Sequence, residues 1–296
     1  MPNVSLDHRN QPAPREVDVD VVGLTNVGRV RHVNQDHFLV ASLHKTMRIW
    51  DSSLPDPDQE RLRSEPHGGL ALVADGVGGG AAGEEASEAT LATVTEYVTH
   101  TMDCFRHFDS SKEESFLAQL RAAVRRCHEA VCTKGAADPS YRGMATTLTM
   151  VYTLWPNAFV VQVGDSRCYQ LRDGVLRLLT KDQTVAQKLY DEGVFTTQEV
   201  DESPLGHVLY SAIGGPEATP VTTRFDLRWG DVLLLCTDGL TKHVSDAEIS
   251  DTLVASSAAS DACRELVSTA LDRGGTDNVT VVVVRTKPRP TDEGGL

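Results

Sequence analysis

The segment Leu70–Glu85, with the sequence LALVADGVGGGAAGEE, constrains the fold more than any other part of the chain. Its apolar run Leu70–Ala74 predicts a buried strand, and the residues from Ala81 onwards predict a helix. Between them lie Asp75, at the end of the predicted strand, and a glycine-rich turn. Because glycine adopts positive φ and lets a ligand approach the backbone closely, this junction predicts a site for a phosphate or a metal ion.

A dinucleotide site is one alternative for this junction, because Gly78, Gly80 and Gly83 match G-x-G-x-x-G, a fingerprint that is weak on its own. Glu84 and Glu85 oppose it, since carboxylates at the start of the helix would repel a pyrophosphate. No Lys-Ser/Thr pair follows the glycines, which excludes a Walker loop. A metal site is therefore favoured, with an ordinary structural turn as the other alternative.

The charge of the chain limits its partners. Its 296 residues carry a formal net charge of −14, which argues against nucleic acid and anionic membranes, since both attract basic patches. The sequence shows no apolar stretch that would span a bilayer and no signal-peptide core. Its six cysteines form no CxxC pair, which favours reduced thiols in a cytoplasmic protein.

The order of predicted elements favours an α+β fold with antiparallel sheets, because strand runs alternate with pairs of helices. The strand patterns between Met144 and Leu179 predict a meander, since short turns link them. Two later helices are expected to begin at acidic N-caps, Asp246 and Asp261.

One domain is expected over residues 17–286. A flexible leader at 1–16 would precede it, and a flexible tail at 287–296 would follow it. A polar, proline-dotted insertion is expected at 45–68, and the irregular segment 195–215 is either a flap or a plain connection.

Five aspartates share one setting, because each lies at the end of a predicted strand: Asp36, Asp75, Asp165, Asp238 and Asp277. A single aspartate of this kind is more often a turn residue than a ligand. Strand ends at one edge of a sheet meet in space, where several carboxylates would repel each other unless a cation neutralised them. Oxygen ligands without a cluster of His or Cys favour Mg²⁺ or Mn²⁺.

Such a centre suits hydrolysis of a phosphate ester. A water that bridges two hard cations is activated for in-line attack on phosphorus. The phosphoryl oxygens need a further cation, and Arg31 lies five residues before Asp36. A surface or ion-pair role for Arg31 is the alternative. His32 and His37 flank this motif and are interpreted as structural histidines.

Six motifs follow each other along the chain: Arg31-x-x-Asn34-Gln35-Asp36, Asp75-Gly76-x-Gly78-Gly79, Ala145-Thr146-Thr147, Gly164-Asp165-Ser166-Arg167, Thr237-Asp238-Gly239-Leu240 and Gly275-Thr276-Asp277-Asn278. Their order and spacing resemble the metal-dependent protein serine/threonine phosphatases of the PPM, or type 2C, family, in its bacterial form. The resemblance extends from about Val17 to Arg285. It implies a four-layer αββα sandwich, in which two antiparallel sheets pack face to face between helix pairs.

The resemblance also implies an activity, the hydrolysis of phosphoserine and phosphothreonine in proteins. Its cofactor would be two Mn²⁺ or Mg²⁺ ions, with a weaker third ion in bacterial members. Its partners would be Ser/Thr kinases and their phosphorylated substrates. Asp75 would bridge two metals, the Gly76 carbonyl would help to hold the second, and Asp238 and Asp277 would bind the first.

The remaining site residues receive their roles from the same resemblance. Asp36 would act at the metal shell through water, and Asp165 would form the third site together with Asp238. Arg31 would hold the substrate phosphate, and the segment 195–215 would be the family's variable flap beside the active site.

Three positions depart from the family pattern. Val77 stands where many eukaryotic members carry a histidine that protonates the leaving group, which leaves the general acid unassigned. Gln35 replaces a glutamate, which predicts weaker affinity for the second metal. Ala145 replaces a glycine, which is most simply a change in packing.

Two other functions remain open on the sequence alone. A non-catalytic, family-shaped binding or regulatory module would lack metal ligands, yet all five aspartates are present. A phosphatase with a covalent intermediate would need Asp-x-Asp after the strand or a G-x-S-x-G elbow, and neither Asp75-Gly76-Val77 nor the surroundings of Ser166 provide them.

Overall fold

The computed structural model describes residues 12–44, 68–78, 81–103 and 110–287. Most of the predicted leader, insertion and tail lie outside these residues, as do Gly79 and Gly80. The strands are β1 (Val19–Asn26), β2 (Asp36–Leu43), β3 (Gly68–Val77), β4 (Ala145–Thr146), β5 (Leu148–Leu154), β6 (Asn157–Val163), β7 (Arg167–Arg172), β8 (Val175–Leu178), β9 (Val221–Asp226), β10 (Val232–Cys236) and β11 (Val279–Thr286). The α-helices are α1 (Ala81–His100), α2 (Glu113–Ala137), α3 (Val185–Asp191), α4 (Thr197–Glu202), α5 (Asp238–Thr241), α6 (Asp246–Ala255) and α7 (Ala259–Asp272).

The strands form two antiparallel sheets. One has the order β1-β11-β10-β7-β8, and the other has the order β2-β3-β5-β6-β9, with β4 paired to β3. In the second sheet the register places Asp36 opposite Asp75. In the first sheet Asn26, the last residue of β1, lies opposite Val279, the first residue of β11. Strand ends that carry acidic motifs therefore meet their partners directly.

Side-chain alternation along the strands builds three apolar layers. In β3, Leu70 and Leu72 face the core shared with α1 and α2, whereas Ala71 and Val73 face the other sheet. In β10, Leu234 packs towards α6 and α7. Leu233 and Leu235, on its opposite face, join the layer between the sheets. The two sheets are thus packed face to face between helix pairs, which confirms the predicted αββα sandwich.

The outer helices bury the apolar stripes that their spacing predicts. In α2, Leu120, Val124, Cys127 and Val131 recur at intervals of three or four residues and are all fully buried. The short helix α3 begins after Thr184, whose hydroxyl accepts a hydrogen bond from Gln187 N. The helices α1 and α2 cover the outer face of one sheet, and α6 and α7 cover the outer face of the other.

The predicted meander is wrong. The strands β5 and β6 pair in one sheet, whereas β7 and β8 pair in the other. The chain crosses between the sheets at Gly164, which has a φ of +102°. A Cβ at this position would lie 2.6 Å from Thr147 Cγ2, so both the turn and the packing require glycine. The crossing carries Asp165 to the gap between the two sheets.

The predicted acidic N-caps are also wrong, by one residue or more. Ser245 is the N-cap of α6, where it forms a capping box with Glu248. Ala258 is the N-cap of α7, and Asp261 lies inside the first turn. Ser245 caps α6 because its hydroxyl accepts from Glu248 N while the Glu248 carboxylate accepts from Ser245 N. The acids Asp246 and Asp261 lie in the first turns, where they interact favourably with the helix dipole.

The segment 195–215 contains more regular structure than its composition predicts. It includes α4, capped by Thr196, and a 3₁₀ turn over Pro204–His207. Its end is fixed, because Thr146 and Ile213 exchange both backbone hydrogen bonds at 2.9 Å.

No helix within the described ranges is long and apolar enough to cross a membrane. The described cysteines are all free.

Candidate metal centre and active site

The predicted aspartates come from both sheets and meet at one end of the sandwich. Asp36 is the first residue of β2, and Asp165 lies in the crossing between β6 and β7. Asp238 begins α5 after Thr237, which follows the end of β10, and Asp277 precedes β11. Asp75 is not a strand end, because β3 continues to Val77. The two extra residues pair with β4, Gly76 with Thr146 and Val77 with Ala145.

Asp36 joins the two sheets. Its Oδ2 accepts hydrogen bonds of 2.8 Å from the hydroxyl of Thr237, at the end of β10, and from that of Thr280, in β11, and both strands belong to the opposite sheet. Its Oδ1 is buried and has no hydrogen-bond partner. Burial raises the pKa of Asp36 to about 7, assisted by the charges of Asp238 and Asp277 and opposed by the two threonine hydroxyls. The orphaned oxygen indicates a missing positive partner.

The main chain of Asp75 is held on both sides by the segment Ala145–Thr147. Asp75 N donates to Thr147 Oγ1 at 3.0 Å, and Asp75 O accepts from Thr147 N at 2.9 Å and from Thr146 Oγ1 at 2.8 Å. In the sequence this segment was only a motif of the family. The structure shows what both threonines do, because each bonds to the main chain of Asp75. They fix the strand where the carboxylate leaves it.

The carboxylates of the site repel each other. Burial raises the pKa of Asp75 well above its usual value, and the charges of Asp36, Asp238, Asp165 and Asp277 raise it further. Burial likewise raises the pKa of Asp165 to about 8, with further contributions from Asp238 and Asp182. A divalent cation would offset both the cost of burying these charged carboxylates and their mutual repulsion.

Asp238 and Asp277 already contact cationic side chains. Lys242 Nζ lies 2.6 Å from Asp238 Oδ2 and 2.8 Å from Asp277 Oδ2. Arg31 Nε lies 2.9 Å from Asp277 Oδ1, and Arg31 Nη2 lies 3.0 Å from Asp277 Oδ2. Burial opposes ionisation of Asp277, but Lys242 and Arg31 outweigh it and lower its pKa. Asp238 Oδ1, on the other side of that carboxylate, is buried without a partner.

Arg31 forms the ion pair that is its alternative role, and its phosphate-binding role stays a prediction. Its side chain is half exposed and forms an ion pair with Asp277, which is the alternative role. This contact also places its guanidinium beside the carboxylates, where a phosphate held at the site would lie within reach. His37 has a structural partner, since its Nδ1 is 2.9 Å from Ser87 Oγ.

Asn278 positions the loop that carries Arg31. Its side-chain amide donates to Val27 O at 2.9 Å and to Val33 O at 3.0 Å. Its Oδ1 accepts from Gln35 N at 2.9 Å. The loop is thereby tied to β11, next to Asp277. Sequence reasoning quoted Asn278 as a motif residue without assigning it a role.

The residues present fit hard divalent ions. Within the part of the chain that the structure describes, no group of three His, Cys, Asp or Glu side chains is already arranged to hold a metal ion. Lys242 and Arg31 lie against oxygens of Asp238 and Asp277. The buried orphaned oxygens of Asp36 and Asp238 and the mutual repulsion of the carboxylates nevertheless match an oxygen-only donor set.

Lys242, Thr237 and Thr280 are the site residues that sequence reasoning missed. Lys242 follows Asp238 by four residues, which is the helical spacing at which opposite charges pair. Thr237 belongs to a quoted motif, but its bond to Asp36 depends on the packing of two sheets. The spacing was a usable signal for Lys242, whereas the threonines carried none.

The fold consists of two antiparallel sheets between helix pairs, with aspartates gathered at one end of the sandwich. This architecture is the one expected of the metal-dependent protein phosphatases. The family model described as "Protein phosphatase 2C" matches residues 32–278 of the chain. The chain belongs to this family and is a bacterial-type member of the metal-dependent protein serine/threonine phosphatases. The predicted family and fold are therefore confirmed.

Individual relatives agree with this assignment. The chain is 40% identical over 215 residues to the serine/threonine protein phosphatase PstP of Mycobacterium tuberculosis, which is 72% of this chain and 40% of that protein. It is 28% identical over 261 residues to the serine/threonine phosphatase stp of Listeria monocytogenes, covering 88% of this chain and 93% of that one. The chain thus spans less than half the length of the mycobacterial relative.

A solved structure bears on the cofactor. The catalytic domain of the serine/threonine phosphatase PstP, in complex with two manganese ions, superposes with a TM-score of 0.70 at 32% identity. The match covers 91% of this chain and 98% of that domain. The two ions of that relative support the predicted dependence on Mn²⁺ or Mg²⁺.

Proposed function

We propose that this chain hydrolyses phosphoserine and phosphothreonine in proteins with the help of two Mn²⁺ or Mg²⁺ ions. The observation that carries the proposal is the convergence of buried carboxylates with unpartnered oxygens at one end of the sandwich. Such a group is destabilising by itself and becomes favourable when cations bind. When bound, divalent ions lower the pKa of water and withdraw charge from phosphoryl oxygens.

The proposed ligands divide into two sets. Asp75 would bridge the two ions, and the Gly76 carbonyl would complete the second site. Asp238 and Asp277 would hold the first ion. Asp75 is suited to bridging because Thr146 and Thr147 hold its main-chain N–H and carbonyl and Asp36 lies opposite it in the register. A Cβ at Gly76 would lie 2.3 Å from Gly83 O, so this position requires glycine.

The other predicted site residues act around this pair of sites. Asp36 would act at the metal shell, held in one orientation by Thr237 and Thr280. Asp165 would form a weaker third site with Asp238, whose charge already raises its pKa. Arg31 would bind the phosphoryl oxygens through its guanidinium, which Asp277 orients.

Val77 cannot act as the general acid that protonates the leaving oxygen of serine or threonine. It is 41% exposed at the end of β3 and has no proton to donate. The proton that the serine or threonine oxygen needs would come from solvent in this proposal. The segment 195–215 would border the substrate as a flap, because its end pairs with Thr146 beside Asp75.

The test is release of phosphate from a phosphothreonine peptide in Mn²⁺, in Mg²⁺ and in EDTA. We expect release that depends on metal and is abolished by Asp238→Ala. Asp251→Ala, at an exposed position on α6, serves as the matched control and should keep full activity. Full activity of the Asp238 variant, or release in EDTA, would show that the two-metal mechanism is wrong for this chain.

We further propose that the protein acts in the cytoplasm on Ser/Thr kinases and their substrates, without binding nucleic acid or membranes. The net charge of −14 supports an acidic surface that attracts basic segments around a phosphosite. Phosphoproteomics of cells with and without the protein would test the substrates, and recovery of the protein in the membrane fraction would contradict the location.

A further inference from the structure

Lys242 occupies a central place in the site. It follows the last residue of α5, so its side chain lies one helical turn from Asp238. Its ammonium contacts one oxygen of Asp238 at 2.6 Å and one oxygen of Asp277 at 2.8 Å. These two carboxylates come from separate elements, and both are first-metal ligands in the proposed function. The ammonium therefore joins the same two ligands that a metal ion would join.

The position is shielded from solvent. The side chain of Lys242 is 24% exposed, and those of Asp238 and Asp277 are 18% and 19% exposed. Opposite charges attract more strongly there than at the surface, because less water screens them. A divalent ion and an ammonium cannot share the same oxygens at close range, since their positive charges repel each other.

We propose that Lys242 is an internal competitor of the first metal ion, with its ammonium and the ion binding the carboxylates of Asp238 and Asp277 in alternation. The inference rests on the proposed function, because that function names these residues as ligands. Lysine suits the role, since a flexible four-carbon stem lets the charge withdraw without moving the backbone. Lys242 thereby stabilises the protein without metal and weakens its affinity for the first ion.

The test is calorimetric titration of the full chain with Mn²⁺. Lys242→Gln removes the charge and keeps most of the side chain, and Lys242→Arg keeps the charge. Lys181→Gln is the matched control, because Lys181 pairs with Asp191 at the surface and its side chain is 61% exposed. We expect the first-site Kd to fall at least about tenfold in Lys242→Gln, since a unit charge within contact distance of the ligands is removed. The other two variants should stay close to the wild type.

The sign of the change separates competition from a structural role. If Lys242 only shaped the site, its loss would weaken Mn²⁺ binding. An unchanged or raised Kd in Lys242→Gln therefore overturns the inference. In EDTA, competition predicts a lower unfolding temperature for Lys242→Gln than for Lys181→Gln, because two carboxylates lose their shared counter-charge. Equal unfolding temperatures would contradict the proposed stabilisation.

Phosphate release measured on the same preparations keeps the two proposals apart. Tighter Mn²⁺ binding by Lys242→Gln in a protein that releases no phosphate supports the inference and contradicts the proposed function. Metal-dependent release with equal Kd values supports the function and contradicts the inference. A wild type and a Lys242→Gln variant that both fail to bind Mn²⁺ would contradict both.

Discussion

Replacing Asp36 with asparagine should stabilise the protein in EDTA at pH 8. The pKa of Asp36 rises from 3.8 to about 7 on folding, so the folded state holds a proton that the unfolded state has released. Stability therefore falls as the pH rises through this window, by about 4 kcal/mol in all at about 1.4 kcal/mol per pH unit. Asparagine carries no charge and escapes this loss.

The gain is reduced by a hydrogen-bond cost. An asparagine oxygen can still accept from Thr237 and Thr280, but its amide group would occupy the place of Oδ1, which has no partner. A buried unsatisfied donor costs about 1–3 kcal/mol. We therefore expect Asp36→Asn to raise the free energy of unfolding by about 1–3 kcal/mol at pH 8. At pH 5 the carboxyl is protonated in the folded state, and the gain should vanish or reverse.

Urea unfolding at pH 5 and pH 8 in EDTA measures this difference, with exposed Asp251→Asn as the control that should change little at either pH. Mn²⁺ should then stabilise the wild type more than Asp36→Asn, because a ligand that binds the folded state stabilises it and Asp36 is proposed to act at the metal shell. An asparagine variant that is no more stable relative to the wild type at pH 8 than at pH 5 would refute the reasoning.

Three further changes test the frame of the site. Thr147→Val leaves Asp75 N without its acceptor, so we expect a loss of about 1–3 kcal/mol in urea unfolding together with weaker Mn²⁺ binding. Thr147→Ser, which keeps the hydroxyl, should recover most of both. Gly239→Ala would place a Cβ 1.8 Å from Asn278 O and should lower stability by several kcal/mol or prevent folding, as circular dichroism would show. Gln35→Glu adds a negative charge at the side chain that now donates to Gly78 O and should tighten the second Mn²⁺ site in a titration; an unchanged affinity would contradict the role given to Gln35.

The sequence predicted where the aspartates lie better than it predicted the path of the chain. Asp36, Asp165, Asp238 and Asp277 lie where a strand pattern meets a turn, and such a pattern is local enough to be recognised residue by residue. The meander failed because nothing local distinguishes a turn within one sheet from a crossing between two. At Gly164 the difference depends on Thr147, which is distant in the sequence and only becomes a neighbour when the sheets pack.

The groups that fix the carboxylates were predicted even less well. Thr237 and Thr280 act on Asp36 across the gap between the sheets, and their partner lies about two hundred residues away in the sequence. A buried hydroxyl is an ordinary strand residue until its partner is known. Lys242 was missed as well, although its i, i+4 spacing from Asp238 is visible in the sequence.

The electrostatics of the site explain why its cations come from the chain itself as well as from solution. Asp36, Asp75 and Asp165 have raised pKa values and no ion pair among the described residues, whereas Asp277, paired with Lys242 and Arg31, has a lowered pKa. The carboxylates are thus divided into a neutralised group and a group that still needs charge. Divalent ions that bind first at Asp36, Asp75 and Asp165 would displace the Lys242 ammonium from Asp238 and Asp277, because the positive charge of the ions repels the ammonium. In a Mn²⁺ titration, occupation of one site should therefore favour the other more in the wild type than in Lys242→Gln, where only the coupling through the proposed bridging ligand Asp75 remains.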